Sequence, residues 1–191
     1  MELNNKYFLL RHGEAFSNVN NIVSSWPEKI KNPLTTTGRD QIKKVSKKLK
    51  SKNIDLIFSS DVLRTKQTSE IVSESLGLKV KFDKRLREID FGVMSGGSAE
   101  EFIKLFKDRL ERVLKGAPKG ESYKDVFERV LSFIKEINKK YKGKNILIIS
   151  HQAPLYLLEG AIDGFSVLEI IKKFPKERML HRGGMREIIK K

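Results

Sequence analysis

The sequence predicts an α/β protein: a three-layer α/β/α sandwich whose central sheet is mostly parallel and flanked by helices. Three observations carry that expectation. Strand-like and helix-like segments alternate along the chain. The strand-like runs "KYFLL", "IDLIFSS" and "NILIIS" are continuously apolar, as strands covered on both faces are. The stretches between them repeat apolar residues at helical spacing. The 191 residues are enough for one substantial core, so the expectation is one domain over 1–191.

The elements follow in order. Residues 6–10 form the first buried strand, and a polar loop runs on through Pro33. A helix follows, with Ile42, Val45 and Leu49 on one face and Thr37 as its N-cap. Residues 54–60 are the second strand. The next helix takes Ser60 as N-cap and ends at Gly77, which suits the left-handed residue after a helix. Residues 78–83 are a short strand, and the glycine-bearing stretch from 84 to about 98 is a loop. From Ala99 to Leu114 the pattern is amphipathic, with Phe102, Leu105, Phe106, Leu110, Val113 and Leu114 on one face of a single helix. "KGAPKGES" breaks the chain, and the longest helix then runs to near Gly143. Residues 145–150 are the most apolar strand. A helix restarts with Pro154 in its first turn, and "SVLEIIKKF" is another. The basic tail 175–191 receives no element. The segment 94–120 is expected to be a small lid.

Composition narrows the function. Hydrophobic residues make up 39% and charged residues 33%, with no Cys. That describes a soluble globular chain without thiolate or disulfide chemistry, suited to the cytoplasm. No run approaches the ~20 apolar residues that cross a bilayer. The net charge of +15 raises the question of nucleic acid. However, the lysines lie opposite apolar stripes, no tract of five basic residues occurs, and no RNA-binding aromatic motif is present. Nucleic acid and membrane are therefore disfavoured as partners, and a homodimer is left open.

The chain has only three His, and two of them end apolar strands: His12 after "YFLL" and His151 after "ILIIS". In α/β sheets, ligands bind beyond the carboxyl ends of the strands. Parallel strands would bring Arg11, His12, residues 59–64, Ser150 and His151 to one edge. Arg11 brings a fork of donors suited to phosphate, and Gly13 lets the backbone turn sharply and approach a ligand. Arg64, in a helix's first turn, opposes the helix dipole unless an anion offsets it; the alternative is a surface arginine paired with Asp61. Glu88, in the "LREIDFG" loop, reads locally as a solvated charge.

Six blocks, "FLLRHGEAFSN", "NPLTTTGRDQ", "IFSSDVLRTKQTSEI", "LREIDFG", "KGESYKDVFERV" and "ILIISHQAPL", resemble in their order the phosphoglycerate-mutase-like branch of the histidine phosphatase superfamily. The resemblance spans 6 to about 158. It implies that His12 is the nucleophile that becomes phosphohistidine. It implies that Arg11, Arg64 and a protonated His151 hold the phosphate, with Asn18 a further phosphate contact. Glu88 is implied as the general acid and base. Glu14 completes the motif without touching phosphate. Neither a metal nor a cofactor is implied. The implied activity is hydrolysis of a small phosphorylated metabolite, with a phosphoglycerate mutase as the alternative. A protein phosphohistidine phosphatase and a silent anion- or nucleic-acid-binding module rank lower. The sequence departs from the family pattern at Gln152-Ala153-Pro154, at "VMSGG" and at Ala15. Gln152 is accordingly expected to line the substrate pocket. Lys115, Lys119, Lys176 and Arg182 are candidates for a second anionic group.

Overall fold

The continuous apolar runs become a sheet buried on both faces. The computed structural model describes residues 2–189. Its strands are β1 (Lys6–Arg11), β2 (Leu56–Ser59), β3 (Val80–Phe82), β4 (Asn145–Ser150) and β5 (Met185–Ile188). They lie in the order β3-β2-β4-β1-β5, parallel except for β5, which runs antiparallel to β1. The helices are α1 (Phe16–Val19), α2 (Thr36–Leu49), α3 (Leu63–Leu76), α4 (Ala99–Lys104), α5 (Tyr123–Lys140), α6 (Gln152–Ile162) and α7 (Val167–Lys173).

Side chains alternate across the sheet with the period of two that strands impose. Tyr7, Leu9, Phe58, Ile146 and Ile148 face α5, α6 and α7, where Phe133, Ile134 and Leu157 meet them. Phe8, Leu10, Ile57, Leu147 and Ile149 face α2 and α3, where Ile42, Leu49 and Val72 meet them. This is the expected three-layer sandwich. A third, smaller apolar cluster of Val23, Phe102, Phe106 and Ala117, with Phe91 and Met94 against it, gathers segment 94–120 beside the sheet's carboxyl edge.

Four local readings are corrected. The N-cap of α2 is Thr35 rather than Thr37; its hydroxyl accepts the Gly38 N–H at 3.0 Å. Ser60 does not cap α3, because Val62 occupies that position and the Ser60 hydroxyl is bonded to His151 instead. The amphipathic stretch after Ala99 is not one helix. It stops at Lys104, and only a 3-10 turn follows at Glu111–Val113. There Asp108 accepts the Glu111 N–H and Glu111 accepts the Lys107 N–H, so side chains take donors the helix needed. Phe102, Phe106 and Val113 are buried as expected, but Leu105, Leu110 and Leu114 are exposed, Leu114 to 76%. Finally, the tail contributes an edge strand. Tyr7 pairs with Ile188 and Leu10 with Met185, while Glu187 meets Lys52 and Arg186 meets Glu159. A strand so short and so charged carries little periodicity of its own.

The register positions the site. Arg11 stands opposite Ser150 and Leu10 opposite Ile149, while Ser59 pairs with Ile149 on the other side of β4. The ladder runs past the strands, with His12 N–H on the Ser150 carbonyl at 3.1 Å and Ser60 N–H on that of Ile149 at 3.0 Å.

Candidate active site

Three adjacent parallel strands therefore end side by side in Arg11-His12, Ser59-Ser60 and Ser150-His151. The two imidazoles meet edge to face with centroids 5.1 Å apart. Arg64 reaches them from the first turn of α3, and its Nε donates to His12 Nε2 at 3.3 Å. Arg11, His12, Arg64 and His151 are all buried.

The partners of His12 settle its tautomer. Nδ1 lies 2.7 Å from the Gly13 carbonyl, which can only accept. Nε2 receives the Arg64 N–H, which can only donate. The proton is therefore on Nδ1 and the lone pair on Nε2. Burial, and then the charges of Arg64 and Arg11, hold the His12 pKa well below the ordinary imidazole value. Burial and the same cations do this to His151. The protonated His151 implied by the resemblance is thus not the form this pocket favours by itself. A dianion arriving between the cations reverses the local field and favours its protonation. His151 Nε2 bonds the Ser60 hydroxyl at 2.9 Å. Its Nδ1 is buried without a partner, as is Arg11 Nε. Arg11 Nη1 donates to the Leu180 carbonyl at 2.9 Å, and burial lowers the Arg11 pKa to about 10.

Glu88 is half-buried, and its charge acts on both Arg11 and Arg64. One of its carboxylate oxygens accepts the Ile89 N–H at 3.0 Å. Asn18, in the third position of α1, accepts the Ala15 N–H on Oδ1 at 3.0 Å. Glu14 accepts the Thr35 hydroxyl at 2.8 Å. Gly13 packs its backbone against α2: a Cβ there would run into the Gly38 backbone, an approach to protein rather than to the ligand expected from the sequence.

A cavity of about 530 Å³ adjoins Glu88, and Gln152 and Lys176 are among the residues that line it. Arg182 is exposed, yet near enough to depress the pKa of Arg11 and His12. Lys115 pairs instead with Glu111, and Lys119 is exposed. The same cavity holds residues the sequence reading missed. Arg112 sits against Tyr123, Phe102 and Phe106 at 4.4, 4.9 and 5.5 Å from their centroids. Arg109 donates to the Tyr156 hydroxyl at 2.8 Å, with its Nε buried and unpartnered. Glu28 was also missed, in a polar loop with no pattern of its own. Arg64 pairs with it at 3.1 Å, while Asp61, the partner considered from sequence, pairs with Arg87. A larger cavity of about 750 Å³ lies between α6, β5 and the residues Phe165 and Phe174 that flank α7, where Arg178 and Arg186 already occupy the buried Glu159. Among the described residues no cluster of three or more His, Cys, Asp or Glu is placed to hold a metal, and no helix is long and apolar enough to cross a membrane.

Residues 7–174 match the histidine phosphatase superfamily (branch 1). The chain belongs to that superfamily. A probable phosphoglycerate mutase, GpmB, of Salmonella arizonae is 31% identical over 162 residues, covering 82% of this chain and 74% of that protein. YhfR of Bacillus stearothermophilus superposes with a TM-score of 0.83 at 25% identity, covering 97% of this chain and 91% of that one. The mycobacterial glucosyl-3-phosphoglycerate phosphatase in complex with VO3 has a TM-score of 0.83 at 22% identity, with 95% and 91% coverage. At that identity the likeness shows the fold. This histidine phosphatase superfamily enzyme is of the phosphoglycerate-mutase-like type.

Proposed function

We propose that the protein hydrolyses phosphomonoesters of small metabolites through a phosphohistidine at His12. The observation that carries this reading is the tautomer of His12: a buried imidazole with its Nε2 lone pair facing a guanidinium. A nucleophile must keep that lone pair, and a phosphoryl group needs cations around it.

In the first step His12 Nε2 attacks phosphorus and the bond to the ester oxygen breaks. Glu88 gives that oxygen a proton, so an alcohol leaves. Arg11, Arg64 and a His151 protonated by the dianion's field neutralise the equatorial oxygens, and Asn18 adds an amide donor. In the second step the Glu88 carboxylate takes a proton from water. The water oxygen bonds to phosphorus, the P–N bond breaks, and His12 returns neutral. The sum is ester plus water to alcohol plus phosphate, with no proton unaccounted for.

The leaving group would occupy the cavity beside Glu88. Phe91, Phe106 and Tyr123 suit an apolar or flat portion, Gln152 a polar one, and Arg109 and Arg112 a second anion. Segment 94–120 then serves as the lid over that end. The relatives named as probable phosphoglycerate mutases favour a second reading, phosphoryl transfer between hydroxyls of one substrate. Both readings require His12 to carry phosphate. Rapid quenching with p-nitrophenyl phosphate should trap an acid-labile phosphoenzyme that His12→Ala cannot form. Ordinary turnover by His12→Ala refutes both readings. Interconversion of 3- and 2-phosphoglycerate faster than ester hydrolysis selects the mutase.

A further inference from the structure

Arg64 is gripped by a short stretch of loop that contributes nothing else to the phosphate pocket. Glu28 accepts its Nη1 at 3.1 Å and the Ser24 carbonyl accepts its Nη2 at 3.0 Å. Only Nε is directed at His12. The other oxygen of Glu28 accepts the Leu63 N–H at 3.2 Å, at the start of α3, where Val62 supplies no side-chain cap. One carboxylate thus serves the end of the helix and the cation that helix carries, which would otherwise oppose each other's field. The Arg64 side chain is 3% exposed and that of Glu28 12%, so this pair is screened far less than a surface bridge.

The same loop is tied to the segment that carries Glu88. The Ser25 hydroxyl donates to Asp90 at 3.1 Å and accepts the Phe91 N–H at 3.1 Å. Lys29 reaches the Val93 carbonyl at 3.3 Å, and Arg87 stacks on Trp26 at 4.5 Å. Residues 24–29 therefore bridge the arm that holds phosphate and the arm that delivers the proton.

We propose that Glu28 is a positioning residue: it fixes the plane of the Arg64 guanidinium, whose Nε–H rests on His12 Nε2 in the free enzyme, so that the N–H groups the loop does not hold meet the phosphoryl oxygens when that lone pair turns to phosphorus. The proposal rests on the phosphatase reading given above. Its physical content is preorganisation. An arginine released from Glu28 can follow a dianion wherever it settles, which favours the bound ground state. A held arginine waits where charge develops in transfer, which favours the transition state. Glu28 also competes with the dianion for Arg64, so its negative charge weakens simple anion binding.

The test is Glu28→Gln, which keeps the shape and loses the charge. With p-nitrophenyl phosphate, kcat should fall about tenfold or more while KM stays level or drops. Inorganic phosphate, titrated by calorimetry, should bind as tightly as to the wild type or more tightly. In an Arg64→Ala background, Glu28→Gln should change kcat/KM by less than about twofold, because the route through Arg64 is gone. Glu28→Asp, which keeps the charge, should recover part of kcat. A rise in KM with kcat unchanged, weaker phosphate binding, or full additivity with Arg64→Ala would each overturn the proposal. A wild type that does not turn over p-nitrophenyl phosphate refutes the hydrolase reading alone. The phosphate titration then still decides whether Glu28 restrains Arg64.

Discussion

Replacing Gly38 by alanine sets two physical effects against each other. In a helix, alanine is worth up to about 1 kcal/mol over glycine, so propensity alone predicts a more stable protein. The packing predicts the reverse. A Cβ on Gly38 would lie 2.8 Å from the Glu14 nitrogen and 2.9 Å from its carbonyl carbon, with the carbonyl oxygen nearer still. Ordinary contact begins at 3.4 Å and the Glu14 carbonyl oxygen is the limiting neighbour, so the two backbones must separate by more than about 1 Å. Overpacking of this kind costs roughly 1–3 kcal/mol. The Thr35 N–H bond to the Glu14 carbonyl, 3.0 Å long, stands to be lost for about 1 kcal/mol more. After the propensity gain, about 1–3 kcal/mol of destabilisation remains, or a thermal midpoint lower by ~2–12 °C for a chain of this size. The displaced loop also carries Gly13, whose carbonyl orients His12. An error of about 1 Å there should reduce kcat/KM ~100-fold. Thermal unfolding and p-nitrophenyl phosphate kinetics measure both effects. A Gly38→Ala variant as stable and as active as the parent would refute the argued coupling between the two glycine backbones and the nucleophile.

Glu88→Gln should separate the two half-reactions. An alkyl phosphate, whose leaving oxygen needs a proton, should lose ~10²–10⁴-fold in turnover. p-Nitrophenolate leaves without protonation, so a stoichiometric burst should precede stalled hydrolysis of the phosphohistidine; equal losses on both esters without a burst would remove Glu88 from the mechanism. Acid should destabilise the fold well before its carboxylates titrate. His12 and His151 have folded-state pKa values depressed below the ordinary 6.5, so the unfolded chain binds their protons first. Stability is then fully present above pH ~6.5 and falls below it, by up to ~1.4 kcal/mol per pH unit for each histidine. Chemical denaturation at pH 7 and pH 5 in phosphate-free buffer measures this slope. The His12→Asn/His151→Asn double variant should flatten it, and an unchanged slope would contradict the burial argument.

Much of the fold was legible because each strand buried on both faces must be apolar throughout. The runs through Phe8, Phe58 and Ile148 declare a covered parallel sheet, and Ile42, Val45 and Leu49 declare the helix that covers it. The helix of 99–114 failed because Asp108 and Glu111 diverted the backbone donors, leaving Phe102, Phe106 and Val113 buried but Leu105, Leu110 and Leu114 exposed. The tail failed because four residues paired to β1 owe their extended form to the ladder, not to their own sequence.

The site divides in the same way. Arg11, His12 and Ser150, His151 are named by the sequence, since each follows directly from an apolar strand. That they face one another was decided by the β1–β4 register. A one-residue slip would have turned the side chains to opposite faces. The Arg64 donor on the His12 lone pair, the grip of Glu28 on Arg64 and the aromatic seat of Arg112 involve partners dozens of residues apart or on a turn with no periodicity. Charge placed in a polar loop looks the same in sequence whether it meets water or a buried guanidinium. Only the packing of residues 24–29 and 94–120 against the sheet's carboxyl edge settles which, because burial, not residue type, makes those contacts strong.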